Sequence, residues 1–231
     1  MFKKILWPTD FSKNSTKALP FIKLLSLAFK SKVYILHVVE ELPEMYLTLV
    51  SDLNFYKKAR ERNLRDSWKK IERLEKRLRK AGIGVKTIVD EGSAYEKILK
   101  VSEELNPDLI VLSRRGLNPL ESLILGSTSR RILHHAKKPV LVITEPKRRP
   151  TIRKILVPTD LSEFSQRAYP LAARLSQVFN AEIHLLHVLE LFAYDPQKAR
   201  RFLREKDMLY LNEKIQSKMK PPKGVEVKKH V

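Results

Sequence analysis

The chain has 231 residues, 43% hydrophobic and 31% charged, with no cysteine and a formal net charge of +20. That balance belongs to a folded globular chain and not a disordered one, and the missing cysteines exclude disulfides, thiolate chemistry and Cys-based metal sites. No apolar run reaches the roughly 18 residues of a membrane span, and Met1-Phe2-Lys3-Lys4 leads into a strand pattern without a signal-peptide hydrophobic stretch, so a cytoplasmic protein with no membrane partner is expected.

Ile5-Leu6-Trp7 is a short apolar run ended by Pro8, and Val33–Val39 is a second run rich in branched residues; both read as buried strands. Between them Asp10 and Ser12 signal a helix start, and Ala18, Phe21, Ile22, Leu25 and Ala28 recur at helical spacing as an inward face. Leu64, Trp68, Ile71, Leu74 and Leu78 mark a second, highly charged helix, with Gly82 placed as its C-terminal cap. Strand Val85–Val89, helix Ala94–Glu104, strand Leu109–Leu112, helix Leu123–His134 and strand Val140–Thr144 follow.

Strict alternation of strand and helix predicts an α/β fold: an open parallel sheet covered on both faces by right-handed crossovers. In such sheets ligands bind beyond the carboxyl ends of the strands, where the strand order reverses. Asp10, Val38 and the loop after the fourth strand stand there.

The chain then starts again. Lys4-Ile5-Leu6-Trp7-Pro8-Thr9-Asp10 returns as Lys154-Ile155-Leu156-Val157-Pro158-Thr159-Asp160, and 17 of 40 positions agree between residues 1–40 and 151–190 without a gap. A unit of this size is a domain and not a solenoid repeat. The reading is therefore domain 1 over 1–146, a basic linker over 147–150, and domain 2 over 151–231. Gly224–Val231 resembles Gly82–Val89, so the second copy stops after its third strand. With the order usual for this topology, 3-2-1-4-5, its first strand becomes an apolar open edge. A fragment, a frameshifted product and a protein that borrows a partner strand all fit this pattern.

Ser113-Arg114-Arg115-Gly116, nine residues, then Gly126-Ser127-Thr128 follows the fourth strand and enters a helix. Glycine lets backbone N–H groups approach an anion, the helix N-terminus carries partial positive charge, and hydroxyl and guanidinium donors surround it, all of which suit phosphate. An ordinary turn with an N-cap fits the same residues. Asp10 reads either as an N-cap or as a contact for a base or ribose, and the two roles are compatible. Val38 offers backbone N–H and C=O groups to an adenine edge or is plain core. His134 and His135 are neighbours and point about 100° apart on a helix, so they do not chelate one metal together. His37 and His187 read as satisfied buried histidines. No catalytic residue and no metal-ligand set stands out. Lys and Arg in Tyr56–Lys80 are interleaved with Glu61, Asp66, Glu72 and Glu75, as on a solvated helix face, so nucleic-acid binding rests on net charge alone.

Taken together, the Pro-Thr-Asp strand ending, Leu36-His37-Val38, Glu91-Gly92 and the stretch from Gly126-Ser127 to His134–Val142 resemble the universal stress protein family in its tandem, ATP-binding form. The resemblance implies a Rossmann-like, adenine nucleotide α-hydrolase-like fold with ATP, bound with Mg²⁺, as ligand. It assigns Asp10 and Val38 to the adenosine, and Ser113, Arg115, Gly116, Gly126, Ser127 and Thr128 to the phosphate loop. It also implies a regulatory switch with at most slow ATP hydrolysis, an unidentified signalling partner, and a homodimer through Val140–Thr144. One departure stands out, Ser113 in place of the motif's first glycine; if that position needs positive φ, serine weakens the site. An interaction protein that has lost nucleotide binding is the alternative.

Overall fold

The computed structural model describes residues 1–40, 53–113, 126–144, 149–188 and 227–230, with Leu209, Glu213 and Ser217 as isolated helical positions. The chain divides into two compact units, Met1–Pro150 and Thr151–Val231.

Unit 1 runs β1 (Lys4–Pro8), α1 (Lys13–Thr16), α2 (Leu19–Phe29), β2 (Lys32–Val39), α3 (Leu53–Arg79), β3 (Gly84–Glu91), α4 (Ala94–Leu105), β4 (Leu109–Ser113), α5 (Ser127–His135) and β5 (Val140–Ile143). Its five strands are parallel in the order β3-β2-β1-β4-β5, as the alternation and the usual topology predict. Ile5, Leu6 and Trp7 are completely buried. This explains a continuous apolar run where a half-exposed strand would alternate, since a central strand packs against helices on both faces. One face holds Leu6, Leu36, Ile110 and Leu112 against Ile98 and Val101 of α4 and Ile132 of α5.

Two helical faces differ from the sequence expectation. The segment between β1 and β2 is two helices, not one. Pro20 sits in the first turn of α2, where its missing N–H is harmless, and restarts the helix after the short α1. The restarted face buries Leu19, Ile22, Leu25, Ser26 and Phe29, leaving Phe21 only half-buried and Ala28 exposed. In α3 the buried stripe is Ser67, Ile71, Leu74 and Leu78, and Trp68 is 43% exposed. At about 100° per residue Ser67 falls nearer the centre of that stripe than Trp68 does, so position outweighs hydrophobicity. Gly82 follows α3 at φ +76°, its N–H donating to the Arg79 carbonyl, which is the left-handed ending that favours glycine.

Unit 2 repeats the start: β6 (Lys154–Pro158), α6 (Glu163–Gln166), α7 (Ala168–Phe179), β7 (Glu182–Leu186) and β8 (Val227–His230). Its described strands form a parallel three-stranded sheet, β6-β7-β8. The core lies on one face, where Val157, Ile183 and Leu185 pack against Tyr169, Ala172 and Ala173 of α7.

Candidate functional site

The site of unit 1 is built on the turn after β1. Thr9 N–H continues the ladder to the Leu36 carbonyl, and the chain then reverses through Phe11 in the left-handed region at φ +59°. Side chains hold this reversal. Thr9 Oγ1 accepts from Phe11 N–H (3.1 Å) and shares a hydrogen bond with Ser15 Oγ (2.8 Å), and Asp10 Oδ1 accepts from Ser12 N–H (3.0 Å). Ser12 Oγ in turn accepts from Ser15 N–H, so Ser12 caps α1. Asp10 is therefore not the N-cap; it forms an Asx turn one step earlier, as short acidic side chains do.

Unit 2 reproduces the turn atom for atom. Leu161 has φ +64°, Thr159 Oγ1 meets Ser165 Oγ at 2.9 Å, Leu161 N–H donates to Thr159 Oγ1, and Asp160 Oδ1 accepts from Ser162 N–H. The Asp160 carboxyl is held well below the usual carboxylate range, first by the Ser162 hydroxyl and then by that of Ser165. Two sequences that share Pro-Thr-Asp-x-Ser-x-x-Ser thus adopt one conformation without sharing a phosphate loop, so the turn is a property of its own residues.

His37 and His187 donate through Nδ1 to the Thr9 and Thr159 carbonyls, at 2.8 and 2.7 Å, as satisfied histidines. The ring of Phe11 stacks on His37 with centroids 4.2 Å apart. Burial, aided by the charge of Lys70 and opposed by the Thr9 hydrogen bond, lowers the His37 pKa below its ordinary 6.5. A histidine depressed in the folded state binds its proton more weakly there than when unfolded. Its stabilising contribution is present above the unfolded value and lost as pH falls from about 6.5 through the folded value. His37→Asn, which keeps a donor near Thr9 without a titrating ring, is expected to flatten the fall in thermal midpoint between about pH 7.5 and pH 5, measured by circular dichroism.

Thr9, Asp10 and His37 of unit 1 open onto a cavity of about 470 Å³ at the switch point between β1 and β4. That volume lies within the roughly 300–1,000 Å³ of small-molecule pockets. Asp10, Val38, Ser113, Gly126, Ser127 and Thr128 all line it. Arg115 and Gly116, with Arg114, fall outside the described residues. Val38 packs its side chain against the core around Leu36. Leu36 C=O faces β1 and Val39 C=O accepts from Gly92 on the β3 side, so by alternation the Val38 backbone faces the space beyond β1's end at Pro8.

Ser113 does not have positive φ. It ends β4 opposite Ile143 and donates through Oγ to the Ser15 carbonyl (3.1 Å), so serine is accommodated without strain. Gly126 is the N-cap of α5 at φ −55° and ψ 150°, and no side chain caps that helix. Its first-turn N–H groups therefore have the arrangement of an anion site. The sequence reading missed several other lining residues, among them Ser12, Asn14 and Ser15 at the start of α1 and Asn63, Asp66 and Lys70 of α3. Ser12 and Ser15 could have been found from the Ser-x-x-Ser repeat, whereas Asn14 is Phe164 in the second copy, and those on α3 depend on how the helix is laid across the sheet.

A cavity at the switch point of an open parallel sheet, walled by a strand-end turn and a glycine-started helix, places unit 1 in the Rossmann-like α/β class. The model of the universal stress protein family matches residues 1–144 and again 151–231. The chain belongs to the universal stress protein family. Universal stress protein MJ0577 of Methanocaldococcus jannaschii is 31% identical over 154 residues, which cover 62% of this chain and 95% of that protein. The solved structure of MJ0577 matches with a TM-score of 0.54 and 31% identity, covering 62% of this chain and 96% of its own. A universal stress protein from Archaeoglobus fulgidus shares the fold over 98% of this chain and 75% of its own, with a TM-score of 0.70 and 23% identity. No helix among the described residues is long and apolar enough to cross a membrane.

Proposed function

We propose that unit 1 binds ATP, as Mg·ATP, and acts as a nucleotide-dependent regulatory switch in the cytoplasm. The observation that carries this reading is the uncapped, glycine-started N-terminus of α5 opening on the same cavity as the strand-end backbone of Val38. Gly126, Ser127 and Thr128 would hold phosphate oxygens, with Ser113 at the end of β4 and Arg115 and Gly116 from the sequence that follows it. Val38 would meet the adenine edge through its backbone, and Asp10 would face the ribose. Magnesium fits such a site without a preformed cage, since it is held largely by phosphates and water with one or two carboxylates. It would neutralise phosphate charge. The residues described bind and orient; hydrolysis, if it occurs, is slow, because the Asp10 carboxylate is engaged by the Ser12 N–H and His37 by the Thr9 carbonyl.

β5 is an edge of the unit 1 sheet, with Val140, Leu141 and Val142 half-buried. We infer a homodimer through this edge, and occupancy of the nucleotide site would alter the surface offered to a signalling protein. Sedimentation at micromolar concentration is expected to give a dimer; a strict monomer overturns that part. Calorimetric titration with Mg·ATP is expected to show saturable binding at one site per chain. Absence of binding would favour the second reading, an interaction protein of the same family without nucleotide.

A further inference from the structure

Over Leu53–Arg79, α3 carries eleven basic side chains against four acidic ones, and the helix sorts charges that the linear sequence interleaves. Ser67, Ile71, Leu74 and Leu78 form its buried stripe. At about 100° per residue, Lys58, Arg62, Arg65, Lys69, Arg73 and Lys76 lie within about 50° of the line directly opposite that stripe. All six are exposed. They follow one another at steps of four, three, four, four and three residues, a row about 27 Å long with a cation roughly every 5 Å.

The acids stand aside from this row. Glu61, Asp66 and Glu75 fall on its flanks, and Glu72 at its edge. Glu61 reaches Arg65 at 4.0 Å and Asp66 reaches Lys69 at 3.7 Å, long contacts between exposed groups that hold little in water. The closer carboxylate partners belong to cations off the row, Arg60 with Glu91 and Arg79 with Glu75. Lys58, Arg62, Arg73 and Lys76 have no acidic partner among the described residues. Like charges three and four residues apart repel, and a polyanion laid along the row would relieve that repulsion.

Trp68 narrows the choice of polyanion. It flanks the row beside Arg65 and is 43% exposed, whereas Trp7 is completely buried. Cations in line beside an open aromatic suit a single-stranded nucleic acid, whose phosphates track the charges while a base stacks on the ring. A bilayer surface fits less well, because an interfacial helix must offer an apolar face and that of α3 is already buried.

We propose that the outward face of α3 binds single-stranded nucleic acid without base specificity, with phosphates along the row from Lys58 to Lys76 and a base on the indole of Trp68. No residue of the row lines the cavity, so this surface is independent of the nucleotide reading.

The probe is a fluorescein-labelled oligothymidylate long enough to span the row, titrated with the full chain and followed by anisotropy. Affinity is expected to fall with salt at a logarithmic slope of about −2 to −4, as three to six phosphates at about 0.7 each would give. Arg62→Gln/Lys69→Gln/Arg73→Gln, which preserves helix propensity, is expected to weaken binding at least about tenfold and to reduce that slope by about 2. Lys86→Gln/Lys100→Gln/Lys137→Gln makes the same change in net charge at exposed positions elsewhere in unit 1 and is expected to lose less than about threefold. The unlabelled oligomer is expected to quench the tryptophan fluorescence of the parent but not that of Trp68→Leu, and Gly126→Asp is expected to bind it like the parent. No binding by the parent overturns the proposal, as do equal losses in the two triple variants, which would make net charge alone the cause, and absence of quenching. So does loss of binding in Gly126→Asp, which would place the oligomer in the cavity, or row-dependent binding of phosphatidylserine vesicles without binding of the oligomer, which would make a lipid surface the occupant.

Discussion

Gly126→Asp is expected to weaken Mg·ATP binding at least about 100-fold, a loss near 2.7 kcal/mol, while leaving the protein folded. Both halves follow from the same geometry. Gly126 caps α5 with φ −55° and ψ 150°, a conformation open to any L-residue, and aspartate is among the preferred N-cap residues. Its carboxylate would take up the first-turn N–H groups and favour the positive end of the helix, so α5 gains a cap it lacks. A phosphate would then meet occupied donors and a like charge. Gly126→Asn separates the two effects, because it supplies the cap without the charge; its affinity is expected between those of the parent and Gly126→Asp, with the remaining gap shrinking at high salt. Unchanged affinity in Gly126→Asp, measured by the same calorimetry, would remove α5 from the phosphate site and with it the reading that Ser127 and Thr128 contact the nucleotide.

The parallel order of the unit 1 sheet was legible because each strand is a short branched run and each crossover a periodic helix, and those two patterns permit few arrangements. The turn after β1 was half legible. Pro8, Thr9 and Asp10 mark the end of the strand, but whether Asp10 or Ser12 caps the helix depends on which oxygen reaches which N–H, and Phe11 at positive φ is a consequence of that network and not of its own preference. The Ser113 question was beyond sequence for a similar reason. A glycine position can demand conformation or only size, and the serine hydroxyl found a carbonyl on a segment 98 residues earlier in the chain. Lys70 and Asn63 were hidden because a solvated helix face and a cavity wall have the same composition; only the placement of α3 over the sheet distinguishes them.

The internal repeat supplies its own control for the packing argument. Leu6→Ala is expected to destabilise unit 1 by about 2–5 kcal/mol, since a fully buried leucine loses both its transfer free energy and its contacts to a cavity. Leu156→Ala deletes the same atoms from the same place in the repeated strand. Because Leu156 is 61% exposed, it is expected to change unit 2 by no more than about 0.5 kcal/mol in the free protein. The two units carry separate cores, so the denaturation curve is to be followed by exchange at amides of β1 and of β6 instead of by one global signal. Equal losses in the two units would mean that Leu156 is covered in solution. A large loss in unit 1 alone would establish that one leucine, in one strand sequence, contributes through the strand and helices laid over it.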